Sequence, residues 1–209
     1  MNIIIFGATG NTGHHIVSQA LGQGHIVTAF TRNPNKIDIV HDRLNIVQGD
    51  VMNLSVVEQA LQEQDIVISV LGAGKSLQSK IRSQGTKTII EAMENTGVKR
   101  LISQSTLGAG DSWDNLNFYW KYIMFGLILR KPFADHQKQE DYIKNSNLDW
   151  TIIRPGAFIE GEKTGNYRHG FPHNDRTSQL KISCADVADF ILRQLTDDSY
   201  IGKTPSLSY

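Results

Sequence analysis

Three closely spaced glycines near the start of the chain limit its possible folds more than any other feature. The apolar run Asn2–Phe6 leads directly into Gly7-Ala8-Thr9-Gly10-Asn11-Thr12-Gly13, and an amphipathic stretch follows. Glycine lets a backbone turn sharply and lie close to a bound group, because it has no side chain in the way. The order of strand, glycine turn and helix therefore predicts a β-α-β unit whose helix begins at the turn.

Short apolar runs alternate with stretches of helical period along most of the chain. This alternation predicts an α/β fold, a Rossmann-type doubly wound, mainly parallel sheet flanked by helices on both faces. The predicted strands are Asn2–Phe6, His25–Phe30, Leu44–Gln48, Ile66–Val70, Lys99–Ser103 and Trp150–Arg154. The predicted helices are Asn11–Leu21, Leu54–Leu61, Lys80–Asn95, Pro132–Asn145 and a last one capped by Ser183, with Asp186 either a capping or a functional residue. We expect residues 1–209 to form a single domain.

Two long segments depart from this alternation. Residues 108–131 carry an aromatic cluster between Trp113 and Phe125, which we interpret either as a substrate lid or as a surface that packs on the core or forms a dimer. Residues 156–182 are rich in Gly, His, Asn and Asp and are predicted to be a loop-rich segment on the substrate side. Loops of this length in a compact domain are usually functional or disordered.

The charge balance and the cysteine content exclude several classes of partner. Lys plus Arg and Asp plus Glu number 21 each, and no basic run stands out, so we expect no nucleic acid and no membrane as partner. A single cysteine, Cys184, excludes an intrachain disulfide, and we expect no metal site. Because no secretory signal is recognised, we expect a cytoplasmic protein. We also expect it to act on a small molecule, as a monomer or a homodimer.

The glycine turn points to a nucleotide. The unpaired N–H groups and the positive dipole end at the start of a helix attract an anion. We therefore predict that the turn holds the pyrophosphate of a nicotinamide dinucleotide, although a tight turn without a ligand would have the same pattern. The predicted contacts are Gly7, Thr9, Gly10, Asn11, Thr12 and Gly13.

The end of the second strand favours NADP(H) over NAD(H). An NAD site usually carries a carboxylate there, which binds the ribose diol. This chain has Arg32 instead, whose guanidinium can bind a 2′-phosphate, and Lys36 adds a second charge. The alternative is that Arg32 is a solvated loop residue.

Two further strand ends add candidate contacts to the cofactor. After the third strand, Asp50 is placed to accept a hydrogen bond from the adenine amino group, with Val51 beside it. After the fourth strand, the Leu71-Gly72 turn is expected to pass close to a cofactor ribose. Ligands bind at the carboxyl ends of parallel strands, where both positions lie. A purely structural turn is the alternative for each.

These motifs together resemble the atypical branch of the short-chain dehydrogenase/reductase superfamily. The resemblance rests on residues 7–13, Asp50-Val51, Leu71-Gly72 and the segments DWTIIRPG at 149–156 and ISCADVA at 182–188. The groups it resembles are the NmrA-like NAD(P)H-binding proteins and the biliverdin-IXβ reductase (flavin reductase)-like proteins. The resemblance implies a Rossmann fold and an oxidoreductase or a nucleotide sensor.

The chain departs from the superfamily in its catalytic residues. Many members use a Tyr-x-x-x-Lys pair, and here no tyrosine is followed by lysine four residues later. Ser105 and Thr106, at the end of the fifth strand, resemble the active-site hydroxyl position and are our candidate catalytic residues, with an ordinary polar strand end as the alternative. His136 and Glu140 are four residues apart on a predicted helix and can pair across one turn, and we interpret them as surface or supporting residues.

Two functions of different class fit these residues. The first is an NADPH-dependent reductase that transfers hydride directly to a planar conjugated acceptor such as a flavin or quinone. Direct hydride transfer needs mainly alignment and a dry site, so it does not require the Tyr-x-x-x-Lys pair. The second is a non-catalytic NADP(H)-binding redox sensor of NmrA type.

Overall fold

Seven of the eight strands in the main sheet run parallel, and six of these are the strands that the alternating pattern predicts. The computed structural model describes residues 1–74 and 76–209. The sheet has the order β3-β2-β1-β4-β5-β6-β10-β8, in which only β8 runs antiparallel to its neighbour, and β7 pairs with β9 separately. The strands are β1 (Asn2–Phe6), β2 (Ile26–Thr31), β3 (Leu44–Gln48), β4 (Ile66–Ser69), β5 (Arg100–Gln104), β6 (Asp149–Pro155), β7 (Ala157–Ile159), β8 (Arg168–His169), β9 (Lys181–Ser183) and β10 (Ser206–Ser208).

Helices cover both faces of this sheet. They are α1 (Asn11–Gly22), α2 (Leu54–Leu61), α3 (Ile81–Thr96), α4 (Arg130–Lys144) and α5 (Cys184–Arg193). Because successive side chains of a strand point to opposite faces, β1 contributes to two cores. Ile3 and Ile5 pack under α1 and α5, whereas Ile4 and Phe6 pack under α2 and α3. The predicted doubly wound Rossmann-type fold is confirmed.

The predicted elements lie where the pattern places them, and their ends differ by no more than two residues. Ser183 caps α5 as predicted, since its Oγ accepts a hydrogen bond of 3.0 Å from the N–H of Asp186. The pattern does not predict β7 to β10, which have only two or three residues each and are too short to show an alternation.

The aromatic segment folds into a 3-10 turn, Gly110–Asn115, and a π-helix, Tyr119–Ile128. One side of it packs into a third apolar cluster, where the rings of Phe125 and Phe133 stack with centroids 4.4 Å apart. The other side, with Phe118, Tyr122 and Leu127, is exposed. Part of the segment therefore packs in this third cluster, and both interpretations, lid and packing or dimer surface, stay predictions.

Asp186 ties the loop-rich segment to the first turn of α5. Its carboxylate is buried and accepts hydrogen bonds from the backbone N–H groups of Thr164 and Gly165, both at 2.8 Å. It also accepts from the hydroxyls of Thr164 at 2.7 Å and Tyr209 at 2.6 Å. The side chain therefore anchors residues 164–165 and the last residue of the chain to α5.

We predict that Asp186→Asn destabilises the fold in a pH-dependent way. Burial opposes ionisation of Asp186, but the hydrogen bonds from Tyr209 and Thr164 outweigh it and lower the pKa of the carboxyl. A carboxyl with a lowered folded-state pKa stabilises the fold above its unfolded pKa of about 3.9, and this stabilisation is lost as the pH falls. At pH 7 the variant should lose about 1–3 kcal/mol of unfolding free energy in urea titrations.

The matched control is Asp141→Asn, which changes an exposed aspartate on α4 and should leave stability nearly unchanged. The difference between wild type and Asp186→Asn should shrink as the pH is lowered below about 3.9. A difference that stays constant from pH 7 to the acid limit would show that the charge of Asp186 is not what stabilises the loop.

Candidate dinucleotide-binding site

The glycine turn requires glycine at both of its ends. Gly7 has φ +91°, and a Cβ placed there would lie 2.5 Å from the carbonyl oxygen of Val70. At Gly13 a Cβ would lie 2.1 Å from the carbonyl oxygen of Gly7. The first turn of α1 therefore packs directly on the backbone that leaves β1, and the turn lies against the end of β4.

The start of α1 can accept an anion. Gly10 stands at the N-cap and supplies no side-chain hydrogen bond, and the first turn contains no acidic residue. The first N–H groups of a helix have no acceptor within the helix, so this end carries several donors and a positive dipole. A pyrophosphate is the group that such a turn suits.

A cavity of about 800 Å³ begins at this turn and follows the carboxyl ends of the parallel strands. Among the described residues its wall contains Arg32, Lys36, Arg82 and His136 and no carboxylate. A protein with no net charge thus presents a cationic cavity. The predicted site residues that line it are Gly7, Thr9, Gly10, Asn11, Thr12, Arg32, Val51, Leu71, Gly72, Ser105 and Thr106.

Two predicted contacts do not line the cavity. Gly13 lies behind the turn, where it allows α1 to approach Gly7. Asp50 is exposed, and its Oδ1 accepts a hydrogen bond of 3.0 Å from the N–H of Met52, so the carboxylate closes the turn that follows β3. Val51 contributes to the wall at this point instead.

Arg32 and Lys36 lie at the β2 end of the cavity. Both side chains are exposed, and neither forms an ion pair within residues 1–74 and 76–209. Arg32 follows the last residue of β2, which is where an NAD site would carry its carboxylate. Two exposed cations therefore line this end of the cavity.

Ser105 and Thr106 lie at the other end, where β5 ends. The N–H of Ser105 donates to the carbonyl of Ile153 at 2.8 Å, which continues the ladder to β6 and holds the residue in place. Its buried Oγ lies close enough to Glu140 to help lower the pKa of that carboxyl, although it makes no well-aligned hydrogen bond in the described part of the chain. Apolar side chains of the aromatic segment and its continuation complete this end of the wall: Leu116, Trp120, Phe125 and Leu129.

His136 also faces the cavity, although the sequence indicates only a surface or supporting residue. Its Nδ1 lies 3.2 Å from Oε1 of Gln139, whose Nε2 donates to Ser103 at 3.1 Å. The tautomer that carries its proton on Nδ1 donates to this amide oxygen and leaves Nε2 as an acceptor. Burial and the charge of Arg82 lower the pKa of His136 to about 3, so the ring is neutral at physiological pH.

The pairing of His136 with Glu140 that the spacing allows does not occur in the described part of the chain, because Glu140 binds Arg154 instead. Arg154 is fully buried; its Nε lies 2.9 Å from Oε1 and its Nη2 2.6 Å from Oε2 of Glu140, and its Nη1 binds Asp111. Burial opposes the ionisation of Glu140, but hydrogen bonds and charge from Arg154 keep its pKa below the ordinary value. This pair joins α4 to β6 beneath the Ser105 end of the cavity.

Arg82 is the cavity residue that the sequence does not reveal. It is the second residue of α3 and reaches the wall near His136, whose pKa it lowers. The strand-helix alternation places the start of α3 at the ligand edge of the sheet. No spacing or motif distinguishes Arg82 from an ordinary charged residue of a helix, because its neighbours in space come from α4.

The fold and this site together define a Rossmann dinucleotide-binding protein. The strand order 3-2-1-4-5-6 reverses between β1 and β4, and the glycine turn and cavity lie at that reversal. Residues 7–198 match the family model described as NAD(P)H-binding, and the chain belongs to this family. The match agrees with the resemblance to the atypical short-chain dehydrogenase/reductase superfamily.

Three similar proteins cover nearly the whole chain. The protein YMR090W of Saccharomyces cerevisiae is 28% identical, over 99% of this chain and 92% of its own length. The crystal structure of the oxidoreductase ylbE of Lactococcus lactis has a TM-score of 0.85 and 28% identity, over 100% of this chain and 90% of that one. ChuY, an anaerobillin reductase of Escherichia coli O157:H7, has a TM-score of 0.81 and 25% identity, and the alignment covers 100% of this chain and 97% of ChuY.

Within residues 1–74 and 76–209, no group of three or more His, Cys, Asp or Glu side chains is arranged to hold a metal ion. In the same part of the chain, no helix combines the length and the apolar character needed to cross a membrane.

Proposed function

We propose that this protein is an NADPH-dependent oxidoreductase of the atypical short-chain type, which reduces a planar conjugated small molecule such as a flavin or quinone. The observation that carries the proposal is the single cavity that joins the glycine turn to Ser105 and Thr106. One end suits a pyrophosphate and a 2′-phosphate, and the other combines hydroxyl groups with apolar walls. A cofactor and a flat acceptor can therefore meet in one continuous cavity.

Similar proteins support an enzymatic role. The Lactococcus protein is described as an oxidoreductase and the Escherichia coli protein as a reductase, and both align with essentially the whole of this chain. The glycine turn, the sheet and the helices that flank the cavity thus belong to a framework that serves reductases. The class of acceptor that we propose is inferred from the hydroxyl groups and apolar side chains of this protein's own cavity wall.

NADPH is the preferred cofactor in this proposal because of Arg32 and Lys36. Both are available to a ligand, and a guanidinium can donate two hydrogen bonds to a phosphate. No carboxylate lies among the described residues of the wall to bind the ribose diol of NADH.

NADPH, when bound, supplies a hydride from C4 of its nicotinamide ring. The side chains of Trp120, Phe125 and Leu129 exclude water from the Ser105 end and hold the acceptor flat. The hydroxyl of Ser105 donates a hydrogen bond to the acceptor oxygen on which negative charge develops. His136 accepts a hydrogen bond through Nε2 and remains neutral, so the proton that the product needs comes from water.

Arg32→Ala should weaken NADPH binding by about 1–3 kcal/mol, the scale for losing hydrogen bonds to a charged group, and leave NADH binding nearly unchanged. The measurement is a fluorescence titration of both dinucleotides into wild type and variant. Arg43→Ala is the matched control, since Arg43 is exposed and does not line the cavity. Equal losses for NADPH and NADH in Arg32→Ala would contradict the assignment of Arg32.

Wild-type protein should oxidise NADPH in the presence of menadione or FMN at a rate well above the uncatalysed reaction, followed at 340 nm. Ser105→Ala should lower kcat by about 10²-fold or more with little change in NADPH affinity, because the hydroxyl acts on charge that develops during the reaction. Ser55→Ala, at an exposed serine on α2, is the control. Tight NADPH binding without turnover of any acceptor would favour the redox-sensor alternative.

A further inference from the structure

The guanidinium of Arg82 lies in the cavity wall without a full set of partners. Its Nη1 is shielded from solvent and makes no hydrogen bond within the described part of the chain. The nearest carboxylate oxygen, Oδ2 of Asp135, is 3.9 Å away. The two oxygens of Asp135 accept hydrogen bonds of 3.2 Å from the backbone N–H groups of Arg82 and Ser83, so this carboxylate serves the start of α3.

A partly buried guanidinium with a shielded, unpaired N–H group is unfavourable. Leaving a buried donor without an acceptor costs its full desolvation free energy, and the cost is larger for a charged group. Burial outweighs the attraction of Asp135 and lowers the pKa of Arg82. An anionic ligand that enters the cavity would supply the missing acceptor, and a carboxylate matches the planar fork of a guanidinium.

Arg82 lies at the acceptor end of the cavity rather than at the phosphate end. It begins α3, on the face of the sheet opposite to α1, whose first turn suits the pyrophosphate. Its charge acts on His136 of α4, so the two side chains lie close together. Arg32 and Lys36, the cations suited to a 2′-phosphate, follow β2 on the other side of β1.

The other side chains of the cavity wall indicate the shape and polarity of the rest of the ligand. Trp120, Phe125 and Leu129 form an apolar wall, and the buried Oγ of Ser105 offers a further donor. No carboxylate stands among the described residues of the wall, although Asp135 lies 3.9 Å from Nη1 of Arg82. The ligand that fits is a flat apolar body with one acidic group.

We propose that the physiological acceptor is a planar conjugated carboxylate and that Arg82 is the residue that binds its carboxylate group. This proposal rests on the proposed reductase function in that it names the class of acceptor. Neutral acceptors of similar shape enter the same cavity but lack the contact with Arg82, so they bind more weakly.

The test is calorimetric titration of 2-naphthoate and 2-naphthamide into the protein saturated with NADP⁺. The two probes share their shape and differ in charge. Wild type should bind the naphthoate at least about tenfold more tightly, the scale for hydrogen bonds to a charged group. Arg82→Gln should bind both probes alike, and Arg82→Lys should retain part of the preference as a point charge.

Two controls establish that the effect belongs to the cavity. Arg176→Gln makes the same change at an exposed arginine outside the cavity and should keep the wild-type preference. NADPH affinity should be the same in wild type and Arg82→Gln, which also shows that the variant is folded. If Arg82→Gln instead loses NADPH affinity, Arg82 binds the cofactor and the proposal is overturned.

The remaining outcomes separate this proposal from the reductase function. If wild type reduces menadione but binds both naphthalene probes alike, or binds neither, the carboxylate proposal is wrong and the reductase function stands. If wild type prefers naphthoate through Arg82 but reduces no acceptor, the anion site stands and the reductase function fails.

Discussion

The close packing of α1 on the backbone that leaves β1 is the constraint on which the rest of this structure depends. Gly13 allows the first turn of the helix to lie against the carbonyl of Gly7, and Gly7 in turn lies against the end of β4. A side chain at either position would push the helix away from the sheet. This packing places the N-terminus of α1 at the point between β1 and β4 where the strand order reverses. The cationic cavity begins at that point.

The opposite end of the cavity depends on contacts between distant parts of the chain. The buried pair of Arg154 and Glu140 joins β6 to α4, and Asp111 adds the 3-10 turn of the aromatic segment. Removing one member of a buried pair leaves an uncompensated charge, so losing this contact between β6 and α4 would be strongly destabilising. In this protein the arrangement places His136 and Ser105 on the same wall.

The sequence predicts the features whose signal is local. Strands, helices, the cap at Ser183 and the glycine turn all follow from periodicity and short motifs, and eleven of the thirteen predicted site residues line the cavity. Asp50 does not line the cavity and its Oδ1 closes a turn with Met52, so its contact with adenine stays a prediction. The contacts of Arg82 and of the Arg154–Glu140 pair could not be predicted from the sequence. Their partners lie on elements far along the chain, and short-range patterns contain no information about such contacts.

The most direct test of this account is a crystal structure of the protein with NADP⁺. We expect the pyrophosphate on the N–H groups at the start of α1, the 2′-phosphate beside Arg32, and the nicotinamide ring near Ser105 and Trp120. A dinucleotide bound with its nicotinamide ring outside the cavity, or with its 2′-phosphate turned away from Arg32, would contradict the account.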